Sequence, residues 1–306
     1  MNMQDAGRLI AWCAAGLLCP VAVAQVLEPG VAPAEASPAR ETPPTWRDEA
    51  AWTVRFEPSV WFVGIAGDVQ LPRAAGAPSN DTTDLADLDL DDTSLVQPLG
   101  EITLRKGDWG IGLRGFAFSN DQQASGRAGR IGDLPIADGD RITSSVDVLD
   151  LEIEAMYTIA KGVRSPLSGR DGYALRWRVD VLAGVRVFQT DWEVANLDVA
   201  FAPPASNVAS AEETTAHPLV GVKVSALFLE QFTLDAKIDV GYLPLGDTSS
   251  YGVDIFVGGS WQPHRNVGVQ IGYRAMFVGV SSGDGVEAYE YDGSLQGLYA
   301  GLVLEF

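Results

Sequence analysis

Residues 52–62 read Trp52-Thr-Val-Arg-Phe-Glu-Pro-Ser-Val-Trp-Phe62, an alternation of apolar and polar side chains. The even positions are apolar, and the odd positions up to Ser59 carry Thr, Arg, Glu and Ser. Because successive side chains of a β-strand point to opposite faces, this period of two predicts a strand with one apolar and one polar face. Such a strand is typical of a wall between two unlike environments.

The same alternation returns nine times toward the C-terminus. The predicted strands are residues 52–62, 95–105, 109–118, 142–159, 173–189, 218–229, 232–242, 251–262, 267–278 and 295–306. Tight turns at 106–108, 229–231 and 263–266 alternate with long polar loops at 67–94, 119–141, 190–217 and 279–294. This arrangement predicts an all-β fold, a ten-stranded antiparallel transmembrane up-and-down β-barrel. The connections at 160–172 and 243–250 fit the rule less well, so eight and twelve strands stay as alternatives.

Aromatic side chains indicate which face of the predicted barrel points outward. Eight of them lie on the apolar face, at the turn-side ends of their strands: Trp52, Trp109, Tyr157, Tyr173, Phe228, Phe232, Trp261 and Phe306. Rings collected at one level are typical of an aromatic girdle at a membrane interface. A soluble barrel, whose apolar face would point inward, is the alternative. It gives no reason for the aromatic residues to lie at one level along the barrel axis.

The polar face of the strands carries their charged residues. The set predicted to point inward, as a lumen charge network, is Arg55, Glu57, Glu101, Arg105, Arg114, Asp150, Glu152, Glu154, Arg176, Arg178, Asp180, Arg186, Lys223, Asp235, Lys237, Asp239, Asp254 and Arg274. Placed toward lipid, a midplane Arg or Lys would cost about 2–4 kcal/mol. These charges therefore either pair to hold the barrel shape, or line a narrow path in which fifth-strand arginines face fourth-strand acids across a transverse field.

The first fifty residues differ from the rest of the chain. Residues 1–24 combine a basic start, an apolar stretch and the small-x-small sequence at 22–24, which predict a cleavable signal peptide; a short membrane anchor is the alternative. Residues 25–50 are rich in Pro and Ala and predict a flexible periplasmic tether. The barrel is expected to span residues 51–306. Both cysteines lie within the predicted signal peptide, so the mature chain would have neither disulfide nor thiolate chemistry.

Several short stretches resemble the outer-membrane-protein-W-like family of small outer-membrane barrels. They are residues 84–92, 101–110, 180–186, 218–221, 239–241 and 272–274. The end of the chain, 298–306, alternates and finishes on Phe306, which resembles the C-terminal signature that the barrel-assembly machinery reads. His217 departs from the family pattern, which has an Asp before the Pro. The resemblance implies a Gram-negative outer-membrane protein surrounded by lipid and lipopolysaccharide, and it carries over no catalytic residue.

Charge and motifs limit the function further. A formal net charge of -20 disfavours nucleic acid as a partner, because that affinity rests on cationic groups. The sequence contains no cofactor fingerprint and no metal-binding motif, so we expect no cofactor, no metal and no enzyme. The acidic run 81–92 predicts a solvated loop, a short turn capped by Asp84 with Leu85 and Leu88 in the barrel mouth, or loose divalent-cation binding beside lipopolysaccharide.

The function predicted from these observations is an integral outer-membrane barrel, either structural or a narrow, porin-like passive channel for small polar solutes. A rim hydrolase of the omptin type is one alternative, in which His217 would lie on the loop-side rim near Asp68, Asp191 and Asp247. An adhesive or ligand-binding surface protein is the other alternative.

Overall fold

A computed structural model describes residues 51–73, 82–91, 94–164, 174–198, 207–264 and 266–306. The predicted signal peptide and tether lie outside the described residues. Ten long strands are numbered here in chain order: β1 Thr53–Gln70, β2 Leu95–Lys106, β3 Trp109–Ser125, β4 Arg141–Arg164, β5 Leu175–Asn196, β6 Val208–Phe228, β7 Phe232–Leu245, β8 Thr248–His264, β9 Val267–Ser282 and β10 Tyr289–Glu305.

The ten strands close into a ring. Each pairs antiparallel with its neighbours in the chain, and β10 pairs with β1 from Arg55 opposite Glu305 to Gln70 opposite Glu290. The up-and-down barrel that the period-two alternation predicts is therefore confirmed.

The outer wall of the barrel is apolar along much of its height. Outward side chains such as Phe62, Ile111, Leu151 and Ile271 are between 44% and 63% exposed. A continuous apolar surface of this extent is unfavourable in water and matches the lipid-facing wall of a membrane barrel. Since charged side chains occupy the inside, polarity is inverted relative to a soluble barrel, and the fold is that of an integral membrane β-barrel.

The strands are longer at one end than the sequence predicts. The long loops expected at 67–94, 119–141, 190–217 and 279–294 contain strand ends, and the connections shorten to 71–94, 126–140, 197–207 and 283–288. We call this end of the barrel the loop end, and the opposite end, where β1 begins and β10 ends, the turn end. The predicted loop boundaries were wrong because paired strand continues beyond the apolar outer wall.

A change in the phase of the alternation explains the error. In β5, Val185 and Val187 point outward and are exposed, whereas Trp192 and Val194 point inward and are buried. The apolar face thus passes from the outside to the inside of the barrel along one continuous strand. The predicted strand therefore ends where the phase switches, although the paired strand continues to Asn196.

Short elements cover the loop end. A 3-10 helix, Leu85–Leu88, begins after Asp84, whose Oδ1 accepts a hydrogen bond from the Ala86 N–H at 3.0 Å. Leu85 and Leu88 are buried in the same apolar cluster as the barrel interior, which confirms the predicted capped turn. A small hairpin, Gly129–Ile131 with Leu134–Ile136, also adds buried apolar side chains. None of the described helical segments has the length and apolar character of a membrane-spanning helix.

Arg141, the first residue of β4, and Asp198, which follows β5, form an ion pair at the loop end. This pair shifts the pKa of Asp198. Arg141 Nη2 donates to Asp198 Oδ1 at 2.6 Å, and the Arg141 backbone N–H donates to Oδ2 at 2.8 Å. These hydrogen bonds, above all those of the side chain, hold the pKa of Asp198 below its ordinary value. We expect an NMR titration of the Asp198 carboxyl group to give a midpoint below about 3.9, the value of an unperturbed Asp.

The sign of the effect on stability follows from the direction of this shift. A depressed pKa in the folded state means that the pair stabilises the fold above the unfolded pKa and loses that contribution as pH falls through the folded pKa. Arg141→Gln should raise the midpoint of Asp198 while the barrel stays folded. An unchanged midpoint in that variant would contradict the assigned cause.

Candidate functional site inside the barrel

The interior of the barrel has three levels between the turn end and the loop end. An open cavity of about 400 Å³ around Arg178, the turn-end cavity, comes first. A buried layer of charged side chains around Arg186, the charge layer, fills the middle. Buried apolar side chains around Trp192, the apolar cluster, fill the loop end.

Arg186 on β5 is the centre of the charge layer and is fully buried. Its Nη2 donates to Glu152 Oε2 at 2.6 Å, to Asp239 Oδ1 at 3.0 Å and to Asp254 Oδ2 at 3.3 Å. Its Nε lies 3.3 Å from Asp150 Oδ1. One guanidinium therefore contacts four carboxylates that come from β4, β7 and β8.

Two further arginines join this cluster from other strands. Arg274 on β9 donates through Nε and Nη2 to Asp254 at 3.0 and 2.8 Å, and its Nη2 lies 3.3 Å from Asp150 Oδ2. Arg114 on β3 donates through Nη1 to Asp254 Oδ2 at 3.1 Å and through Nε to Glu101 Oε2 at 3.1 Å. Asp254 is thus shared by three arginines, so no single pair can be removed without affecting the others.

Lys237 on β7 extends the network toward β4. Its Nζ donates to Glu154 Oε2 at 2.6 Å, contacts Glu152, and lies 3.2 Å from Asp239 Oδ2. Charged hydrogen bonds of this kind are among the strongest in proteins, and buried charges are tolerated only when they are paired in this way.

All eighteen residues that the sequence places on the inner face lie there in the structure, at two levels. The charge layer comprises Glu101, Arg114, Asp150, Glu152, Glu154, Arg186, Lys223, Lys237, Asp239, Asp254 and Arg274. Closer to the turn end lie Arg55, Glu57, Arg105, Arg176, Arg178, Asp180 and Asp235. Their position is a finding, whereas a functional role for them stays a prediction.

Three carboxylates of the charge layer could form a metal site by distance alone. One oxygen each of Glu152, Asp239 and Asp254 lies within 4.8 Å of the others. Arg186 Nη2 lies among all three, at 2.6 to 3.3 Å. The guanidinium therefore already supplies the positive charge between them, and the arrangement is an ion-pair cluster.

The apolar cluster was not foreseen from the sequence. Its larger members are Trp61, Val63, Ile65, Phe116, Phe118, Val146, Val148, Phe188, Trp192, Val278, Tyr291 and Leu295. Trp61 packs edge-on against Phe116 with ring centroids 5.0 Å apart, and the Arg274 guanidinium lies 5.3 Å from the Trp61 ring. These residues share the inward face with the charges and lie farther along the same strands. The phase change of the alternation is the signal that could have revealed them.

His217 does not lie where a rim hydrolase would need it. It is 1% exposed inside the barrel, and its Nδ1 forms a hydrogen bond with Ser250 Oγ at 3.2 Å. Asp68 and Asp191 point outward and are exposed, and Asp247 is exposed in the connection between β7 and β8. The expectation of a rim histidine beside these aspartates was wrong, because β6 begins well before His217 and carries it into the barrel.

The predicted girdle aromatics gather at the turn end. The described members are Trp52, Trp109, Tyr157, Phe228, Phe232, Trp261 and Phe306, while Tyr173 lies outside the described residues. Trp109 and Tyr157 are directly opposed across β3 and β4, with ring centroids 4.7 Å apart. Their contact with a membrane interface stays a prediction.

No protein-family profile matches the chain, and no curated protein matches it. The solved structure of the outer membrane protease OmpT from Escherichia coli has 10% identity over 83% of this chain and 97% of that chain, with a TM-score of 0.44. The Pseudomonas putida toluene transporter TodX has 11% identity over 82% and 89%, with a TM-score of 0.27. Ail, the attachment invasion locus protein of Yersinia pestis, has 11% identity over 82% and 98%, with a TM-score of 0.26.

The class of this protein is therefore defined by its own fold and surface. It is an integral membrane β-barrel of ten antiparallel strands with a charged middle and an apolar loop end.

Proposed function

We propose that the protein is a structural barrel of a bacterial outer membrane whose interior is closed to the passage of solutes. The packing of the interior carries this proposal: Arg186 and Arg274 in the charge layer, and Trp61 and Phe188 in the apolar cluster, are all buried. The two levels follow each other along the barrel, so a solute would have to separate ion pairs and then displace apolar side chains. This packing favours the structural interpretation over the narrow channel.

The outer membrane is the location that fits this kind of barrel. An apolar outer wall with the three longest connections, 71–94, 126–140 and 197–207, at one end is typical of Gram-negative outer-membrane proteins. The predicted signal peptide, and the alternating last strand with Phe306 for recognition by the barrel-assembly machinery, agree with export and insertion there. The resemblance to the outer-membrane-protein-W-like family stays a prediction that rests on short motifs.

Lipid and lipopolysaccharide are the proposed surroundings of the barrel. Asp147, Asp191 and Glu212 are exposed and lie directly opposite one another on β4, β5 and β6. Like charges in this register destabilise a sheet and repel anionic headgroups. Divalent cations in the headgroup region would screen this repulsion without being held at a defined site.

Planar-bilayer recording tests the closed interior. Purified wild-type protein should give no resolved conductance steps in concentrated KCl, although heat-modified electrophoretic mobility and flotation with liposomes show that it is folded and inserted. Arg178→Ala, which alters only the open turn-end cavity, should also give none. Reproducible steps whose ion selectivity changes in Arg178→Ala would replace the closed barrel with the narrow channel.

A further inference from the structure

We propose that the turn-end cavity binds a small amphiphilic anion, with a carboxylate or phosphate head and a short apolar body. This goes beyond the proposed structural function, because a barrel that is closed at its middle can still hold a ligand at one mouth. The cavity volume of about 400 Å³ falls within the range of small-molecule sites, about 300–1,000 Å³.

The charges that line the cavity are mostly positive. The basic lining residues are Arg55, Arg105, Lys161, Arg176 and Arg178, and the acidic ones are Asp108 and Glu305. Five cations against two acids is the reverse of the balance in the whole chain, whose net charge is -20. The cavity lining is therefore positively charged, although the whole chain is strongly negative and repels anions.

Several of these cations already have a carboxylate partner. Arg55 Nη2 lies 2.8 Å from Glu57 Oε1, and Lys161 Nζ lies 2.7 Å from Asp108 Oδ1. Such pairs neutralise part of the charge of the lining. The cation most available to a ligand is one that shares its carboxylate with another arginine.

Arg178 is in that position. Its one ion pair among the described residues joins Nε to Asp180 Oδ2 at 3.4 Å. That carboxylate already accepts hydrogen bonds from Arg105, through Nη2 at 2.6 Å and through Nη1 at 3.3 Å. The Arg178 Nε–H is buried and finds no acceptor among the described residues, whereas the side chain as a whole is 38% exposed, so a ligand in the cavity would meet the Nη groups. The outer N–H groups of such a guanidinium can donate to the two oxygens of a carboxylate or phosphate group.

Apolar side chains line another part of the same cavity. They include Val163 and Leu227, which lie opposite Arg176 on its two neighbouring strands and share its inward face. An inorganic ion would gain nothing from these side chains, whereas an alkyl chain would bury apolar surface against them. The cavity thus selects an anion that carries an apolar body.

Calorimetry with a matched pair of probes tests the proposal. The chain without its predicted signal peptide is refolded in a maltoside detergent and titrated with octanoate and with octanol, which share a chain but differ in the charged head. Octanoate should bind at least about tenfold more tightly than octanol, a factor that corresponds to about 1.4 kcal/mol. Arg178→Gln should weaken octanoate binding by a similar factor, and Arg141→Gln, which removes an arginine at the loop end, should leave it unchanged.

Two further measurements complete the design. A free carboxylate and a lipid headgroup offer the same oxyanion chemistry, so a short-chain phosphatidylglycerol is titrated in parallel. Tighter binding of octanoate supports a free amphiphile as the ligand, and tighter binding of the phospholipid supports a lipid headgroup.

Equal affinity for octanoate and octanol, or no effect of Arg178→Gln, would overturn the proposal. If that variant does not fold, the wild-type affinity for octanoate must fall as KCl is raised, and an affinity independent of salt overturns the proposal as well.

Discussion

Arg186→Met is expected to lower the free energy of unfolding by about 3–5 kcal/mol, the usual cost of removing one partner from a buried ion pair. The guanidinium is fully buried and contacts Asp150, Glu152, Asp239 and Asp254 at 2.6 to 3.3 Å. Met fills a similar volume but leaves these carboxylates short of a positive charge in a region shielded from water. Urea unfolding of the refolded barrel, followed by tryptophan fluorescence and by electrophoretic mobility, measures the loss.

Two variants separate this effect from a general cost of losing an arginine. Arg141→Met breaks a pair at the loop end in which the Arg141 side chain is 71% exposed, and we expect it to cost far less stability than Arg186→Met, because exposed ion pairs contribute little. Adding Glu152→Gln to Arg186→Met removes one uncompensated charge and should recover part of the stability. A single Arg186→Met variant as stable as wild type would show that the charge layer does not hold the barrel together.

Trp61→Ala is the second large effect that we expect, with a loss of about 3–5 kcal/mol in the free energy of unfolding. The side chain is fully buried, packs against Phe116, and donates through Nε1 to the Gly297 carbonyl oxygen at 3.2 Å. Truncation would leave a cavity at the junction of the charge layer and the apolar cluster. The same urea titration measures this loss.

The neighbouring residue supplies the matched control. Phe62 follows Trp61 on β1 but points outward and is 44% exposed, so Phe62→Ala removes only contacts with lipid or detergent and side-chain neighbours on the wall. We expect it to cost about 1 kcal/mol, as for an ordinary substitution. A cost equal to that of Trp61→Ala would contradict an apolar core inside the loop end.

The strands and the direction of their inward charges could be predicted because both follow from a local rule. Alternation along ten residues is enough to place Arg114 and Phe116 on one face and Leu113 on the other. The positions of His217 and of the strand ends at the loop end were predicted wrongly because the alternation changes phase along these strands. Where the strands pass the apolar wall, the inside becomes the apolar side, so the stretches that hold Trp192 and Tyr291 alternate in the opposite phase and do not continue the pattern of their strands.

The amino-acid sequence by itself determined a series of alternating strands with charges on one face, since the pleat of a strand fixes which side each residue takes. Only the tertiary structure decided which charges meet. Arg186 reaches carboxylates on β4, β7 and β8, and Arg178 is left beside a carboxylate that Arg105 already holds. The physical reason is that ring closure and strand register set these long-range contacts, and neither is encoded within any one segment.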